Sequence, residues 1–180
     1  IETRRIGFHN GGRFNPDGSE PVIIAAAFED MEPEFFSLSE TWSESEMVAM
    51  LMFFKSAYDR ADVVTGHYIR KFDLPILNGA MFEFGLPPLG EKLVVDTKTD
   101  LIDLQGLSKS QENLSALLSL EESKFHMNDN WWRKVARLTP EGLALAQERV
   151  VKDVQQHQAL RKQLALDGVL KPPSIWDPRK

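Results

Sequence analysis

Val22-Ile23-Ile24-Ala25-Ala26-Ala27-Phe28 is an unbroken apolar run of strand length, set between the turn-rich "HNGGRFNPDGSEP" and a short stretch from Phe35 to Leu38. Two such runs in succession, punctuated by Gly, Pro and Asn, predict a hairpin or meander. The period then changes. Met47, Leu51, Phe54 and Tyr58 recur at helical spacing, and Ser43 with Glu46 three residues on forms a capping box, which predicts a helix from Glu44 to Arg60. Val63-Val64-Thr65 reads as a buried strand, Asp73 to Phe84 as a helix and Leu93-Val94-Val95 as a further short strand. Ser110 can cap a helix carrying Leu114, Leu117 and Leu118. Thr139 caps a last long helix that Pro140 opens and Asp167-Gly168 stops after Leu166. The closing "KPPSIWDPRK" is expected to form no regular structure.

A meander followed by strands alternating with helices predicts an α/β fold: a mixed central sheet, antiparallel first and then parallel, with helices on both faces. At 180 residues and 42% apolar content, the chain supports one core. We expect one domain over residues 1–168 and a Pro-rich tail over 169–180.

Charge adds a restriction. A net charge of -6 argues against a protein that grips nucleic acid by bulk electrostatics. The acids crowd the segment from Glu29 to Glu46, whereas Arg133, Lys134, Arg137, Arg161 and Lys162 lie in the last third; these read first as ordinary solvated faces, with one basic face as the alternative. With no cysteine, disulfides and thiolate metal sites are excluded, and any metal is held by oxygen or by histidine. The longest apolar run is too short to span a bilayer, so the expectation is a soluble, cytoplasmic protein without a membrane partner.

Asp73 is the anomaly in "VVTGHYIRKFDLPIL": a carboxylate among residues that want burial, which requires a partner. It stands at a strand-to-helix junction, where ligands collect in open α/β sheets. Asp153 lies on the last helix between Val150 and Val154, and Glu2 opens the chain in "IET". If these three acids converge, they repel one another unless cations neutralise them, and oxygen-only ligation suits Mg²⁺ or Mn²⁺.

"GHYIRKFDLPIL" resembles the second motif of the DEDD, or DnaQ-like, 3′-5′ exonucleases, closest to the proofreading domains of B-family polymerases and stand-alone phage relatives. "IET" is similar to the end of the first motif, an Asp-x-Glu on the first strand, and "RVVKDVQQHQAL" to the third, a helix carrying the last Asp. The resemblance spans roughly residues 1–166. It implies an RNase H-like fold and a two-metal mechanism on single-stranded 3′ ends, DNA before RNA, in replication or repair. Glu2, Asp73 and Asp153 would be the metal ligands, with carboxylates on the order of 4 to 8 Å apart. Thr3, Phe72 and Tyr68 would seat the terminal nucleotide, while Trp131 and Arg133 would stack a base beside a phosphate-binding edge.

The family's first Asp would stand directly before Ile1, so the natural protein is expected to begin upstream. Tyr68 replaces the usual Asn. Arg149 occupies the place of the tyrosine in one branch, and Glu148 that of the histidine in the other. A guanidinium stays charged at any working pH, so Arg149 would pair with Asp153, one turn on, or hold a phosphate oxygen rather than act as a base. His157 is a candidate for water activation, with a surface or structural histidine as the other reading, and His126, beside "WWRK" where a lid or pocket wall is expected, is another candidate. Trp176 in the tail either offers a handle for a polymerase or clamp or folds back on its own domain, and Asp96 and Asp100 read as loop residues. The other reading is a catalytically impaired RNase H-like module that binds nucleic acid or acts as a scaffold.

Overall fold

The computed structural model describes residues 1–5, 19–120 and 127–180. The chain runs β1 (Glu2–Arg5), β2 (Ser19–Ala26), β3 (Glu34–Ser37), α1 (Glu44–Arg60), β4 (Val63–Gly66), α2 (Asp73–Glu83) and β5 (Lys92–Asp96). It continues with α3 (Gln111–Leu117), α4 (Asp129–Ala136), α5 (Pro140–Leu166) and β6 (Ser174–Trp176).

The fold is α/β, as the strand and helix pattern predicts, but the strands fall into two sheets rather than one central sheet. β1, β2 and β3 form an antiparallel sheet in that order. β4 pairs parallel with β5, and β5 pairs antiparallel with β6. Among the described residues no strand joins β2 to β4. β1 is four residues long and reaches only to Ile23 of β2, so it cannot bridge the two halves.

β2 is the hinge of the core. Val22, Ile23 and Ile24 are all buried, and because successive strand residues face opposite ways, both faces of this sheet must be covered. Helices α1, α2 and α5 pack on β2 and supply that cover. Each such side chain, fully buried, contributes about 1.5 to 3 kcal/mol. From α1 the core takes Met47, Met50, Leu51 and Tyr58, and from α2 Leu74, Leu77 and Met81. A second cluster, Leu101, Leu114, Leu160 and Leu164, fixes α3 against the end of α5.

Local chemistry sets the helix ends. Ser43 accepts from the Glu46 amide while the Glu46 carboxylate accepts from the Ser43 amide at 2.9 Å, completing the capping box of α1. Thr139 accepts from the Gly142 amide at 3.1 Å, and Pro140 opens α5. Gly142 is required by packing: a Cβ there would lie 2.6 Å from the Val135 nitrogen, so only glycine lets α5 approach α4 this closely.

The "WWRK" stretch forms part of the helix α4, capped by Asn128, whose side chain accepts from the Trp131 amide at 3.0 Å. One further expectation is corrected. The closing segment is not irregular: Ser174–Trp176 forms β6, and Trp176 packs against the main core. Pro172 and Pro173 stop short of the strand, so no ladder donor is lost.

Candidate functional site

The loop from β4 to α2 carries Asp73. Gly66 ends β4 where a Cβ would meet Ile69 at 2.7 Å, so the chain can turn back on itself only at glycine. Tyr68 follows with φ of 64°, a conformation that Asn tolerates better than a bulky side chain. It is held there by the buried Asp96, which accepts from the amides of Tyr68 at 2.9 Å and Arg70 at 3.2 Å, and from Lys98 at 2.9 Å and Thr99 at 3.2 Å. Arg70 in turn donates to Asp100, to the Val94 carbonyl at 2.7 Å and to Ser174 of β6 at 2.7 Å. Asp96 and Asp100 are therefore the anchor of this loop and not bystanders in one of their own. The acid directly after the apolar run "LVV", four residues before a second acid, is the signal in the sequence.

Asp73 is the first residue of α2, where the helix dipole favours a carboxylate. Its Oδ1 accepts from the Ile1 nitrogen at 3.0 Å. Glu2 sits on β1, nearly out of solvent, and its Oε1 accepts from Arg149 Nε at 2.6 Å. The same guanidinium reaches Asp153 Oδ2 at 3.6 Å and lies 5.3 Å from the centre of the Trp132 ring. Burial lowers the proton affinity of the Ile1 ammonium, but the carboxylates of Asp73, Glu2 and Asp153 outweigh it and leave the pKa raised. Three acids from β1, α2 and α5 thus share one neighbourhood with two cations. Burial pushes the Glu2 carboxyl up, and the Arg149 and Ile1 charges oppose that.

Among the described residues no group of three acid or histidine side chains is arranged as a cation cage, because Arg149 bridges Glu2 and Asp153. One oxygen nonetheless lacks any partner: Asp153 Oδ1 is buried without a hydrogen bond. An orphaned carboxylate oxygen in an all-oxygen donor set fits a hard divalent cation.

Thr3, Phe72 and Tyr68 line the groove that opens at this cluster, as do Trp132 and Arg133 of α4. Trp131 is half-buried beside them and takes no part in that wall. The Lys98 ammonium lies 3.9 Å from the Tyr68 ring centre, which places a cation beside an aromatic face. His157 is buried: its Nε2 is 3.0 Å from the Thr65 hydroxyl and its Nδ1 3.4 Å from that of Thr97. Burial, with the His67 and Arg161 charges, lowers its pKa to about 3, so the ring is neutral at ordinary pH and ties α5 to β4 and to the turn that follows β5. Gln111 adds a second tie, donating to the Asp153 carbonyl at 3.0 Å and to Gln156 at 3.1 Å. His126 lies outside the described residues. No described helix is long and apolar enough to cross a membrane.

Compared with known proteins, the chain matches no family model, and no curated protein is significantly similar to it.

Proposed function

We propose that this chain is an RNase H-like, metal-dependent 3′-5′ exonuclease domain that hydrolyses terminal phosphodiesters of single-stranded DNA. The observation that carries the reading is the meeting of Glu2, Asp73 and Asp153, from β1, α2 and α5, around buried cations, with Asp153 Oδ1 left unpartnered. Five charged groups from such distant parts of the chain cost several kcal/mol each to desolvate, and a core built only for stability is served as well by apolar side chains. Glu2, Asp73 and Asp153 would hold Mg²⁺ or Mn²⁺. Such ions, when bound as a pair, activate a water for in-line attack and neutralise the leaving 3′ oxygen.

The chain's own residues do the rest. Arg149 cannot take a proton from water; it orients Glu2 and adds positive charge where a phosphate would develop negative charge. His157 sets the rotation of α5 and so aims Asp153, one turn away, at the cluster. Phe72, Tyr68 and Thr3 border the place of the terminal nucleotide. Trp176 is engaged in its own core, so the reading makes no use of the tail as a handle for a polymerase or clamp.

A second reading is a catalytically impaired nucleic-acid-binding subunit, and the short Arg149–Glu2 bond favours it by holding a ligand in an ion pair. Stepwise shortening of 5′-labelled single-stranded DNA, with and without Mg²⁺, separates the two. Hydrolysis that needs Mg²⁺ and falls about 10³-fold or more in Asp73→Asn and Asp153→Asn supports the nuclease. Binding of the oligonucleotide without hydrolysis supports the second reading, and neither binding nor hydrolysis refutes both.

A further inference from the structure

The turn at Tyr68 gives no reason for a tyrosine: its φ of 64° is a conformation that Asn or Gly adopts at less cost. What the strained residue achieves is to carry a cation. The Lys98 ammonium lies over the Tyr68 ring, 3.9 Å from its centre, while the Lys98 amide is pinned by Asp96 at 2.9 Å. Lys98 is half-buried, yet its ammonium donors meet no protein acceptor and no carboxylate among the described residues. A cation so far out of water ordinarily has an anion beside it. Arg161 stands in the same condition, partly buried and with neither acceptor nor carboxylate among the described residues. The two are neighbours. Thr97, directly before Lys98, reaches the His157 ring at 3.4 Å, and Arg161 follows His157 by one turn of α5, close enough for its charge to act on that ring. Lys98, Arg161 and Tyr68 all line the groove that opens at the acid cluster, and Tyr68 is five residues ahead of Asp73.

From this arrangement we propose that Lys98 and Arg161, with Tyr68 as the plate beneath Lys98, form a phosphate-binding station that holds a single strand of nucleic acid behind the nucleotide at the acid cluster. The choice of anion rests on the nuclease reading given above. A guanidinium offers paired N–H donors to phosphate oxygens and an ammonium adds a point charge, so the two together suit the free oxygens of one phosphodiester. Tyr68 spends backbone strain to fix the ammonium, and a fixed donor loses less freedom when the anion arrives than a mobile lysine does. Such a contact reads no base. It sets the path and register of the strand and is indifferent to its sequence.

The test is binding without catalysis: anisotropy of a labelled oligothymidylate of about ten nucleotides, in EDTA, over a range of salt. Each phosphate contact removed lowers the slope of log affinity against log salt by about 0.7, so the gap between the unaltered chain and Lys98→Met or Arg161→Met should narrow about 2.6-fold from about 50 to about 200 mM salt. Unchanged slopes in both variants overturn the proposal. Lys55→Met, which breaks a pair with Asp59 outside the groove, should leave the slope as it is, and an equal fall there overturns the proposal in favour of bulk charge. Tyr68→Asn keeps binding apart from folding: Asn accepts a φ of 64°, so the variant should unfold in urea no earlier than the unaltered chain yet bind as weakly as Lys98→Met. Full binding by that variant removes Tyr68 from the station and overturns the proposal. Thymidine 5′-monophosphate or oligoglutamate bound with the same dependence on Lys98 overturns the strand as occupant, since a freed product or an acidic peptide then fills the place. Hydrolysis is scored separately: altered slopes in a chain that never cuts DNA uphold the station and sink the nuclease reading, and Mg²⁺-dependent cutting with unaltered slopes does the reverse.

Discussion

Arg149→Met keeps the length of the side chain and its packing on Trp132 but removes the charge that Glu2 faces at 2.6 Å. Glu2 is then a buried carboxylate with its nearest cation gone, a loss that costs about 3 to 5 kcal/mol where the charge is retained. Protonation sets a ceiling on this cost. Neutralising a carboxyl of ordinary value 4.5 takes about 1.4 kcal/mol per pH unit above that value, hence about 4 kcal/mol at pH 7.5 and about 1.4 at pH 5.5. The sign follows from the direction of the shift. The folded pKa of Glu2 is raised, so its contribution is fully present below 4.5 and is lost as pH rises through the folded value. Removing Arg149 raises that value further and carries the loss to higher pH. Urea unfolding should therefore show the variant destabilised by less than about 4 kcal/mol at pH 7.5, since part of the cost is already present in the unaltered chain, and by less than about 1.4 kcal/mol at pH 5.5. In a Glu2→Gln background most of the penalty should vanish, because the buried charge is gone. An equal loss at both pH values, or an undiminished loss in the Glu2→Gln background, refutes the reasoning.

His157 gives the opposite trend. Its pKa is lowered from 6.5 to about 3, so stability is full above 6.5 and falls by about 1.4 kcal/mol per pH unit as the medium is acidified from there toward 3; His157→Gln should lack this slope in urea titrations. Asp96→Asn replaces an acceptor of four backbone amides by a group that also donates, and should cost about 2 to 4 kcal/mol in thermal or urea unfolding. The same change should weaken any activity that depends on Asp73, since Asp96 fixes the loop that delivers it; an unaltered fold and rate would remove Asp96 from that role.

Most elements were legible in the sequence because they depend on near neighbours. The Ser43 and Glu46 box, Thr139 with Pro140, and the Asp167-Gly168 stop act within one turn, and the observed ends of α1 and α5 agree with them. α4 was within reach too, through Asn128 and Asp129, but the neighbouring tryptophans suggested a stacking edge instead of a helix. Asp73, Glu2 and Asp153 stood out because an acid in apolar company needs a cation. Their partners did not stand out, since Arg149 meets Glu2 across 147 positions of sequence and the Ile1 nitrogen meets Asp73 across 72.

The sequence by itself determined the α/β alternation, the helix limits and the presence of buried acids, all consequences of local periodicity and desolvation. Only the tertiary structure decided that β6 returns to β5, that Asp96 and Arg70 hold the Asp73 loop, that His157 is a buried neutral tie, and that two sheets face each other across an open groove. Those outcomes rest on pairings between distant segments. A strand's pattern tells how it is covered but not which edge it joins, because the backbone groups that pair strands are the same at every residue.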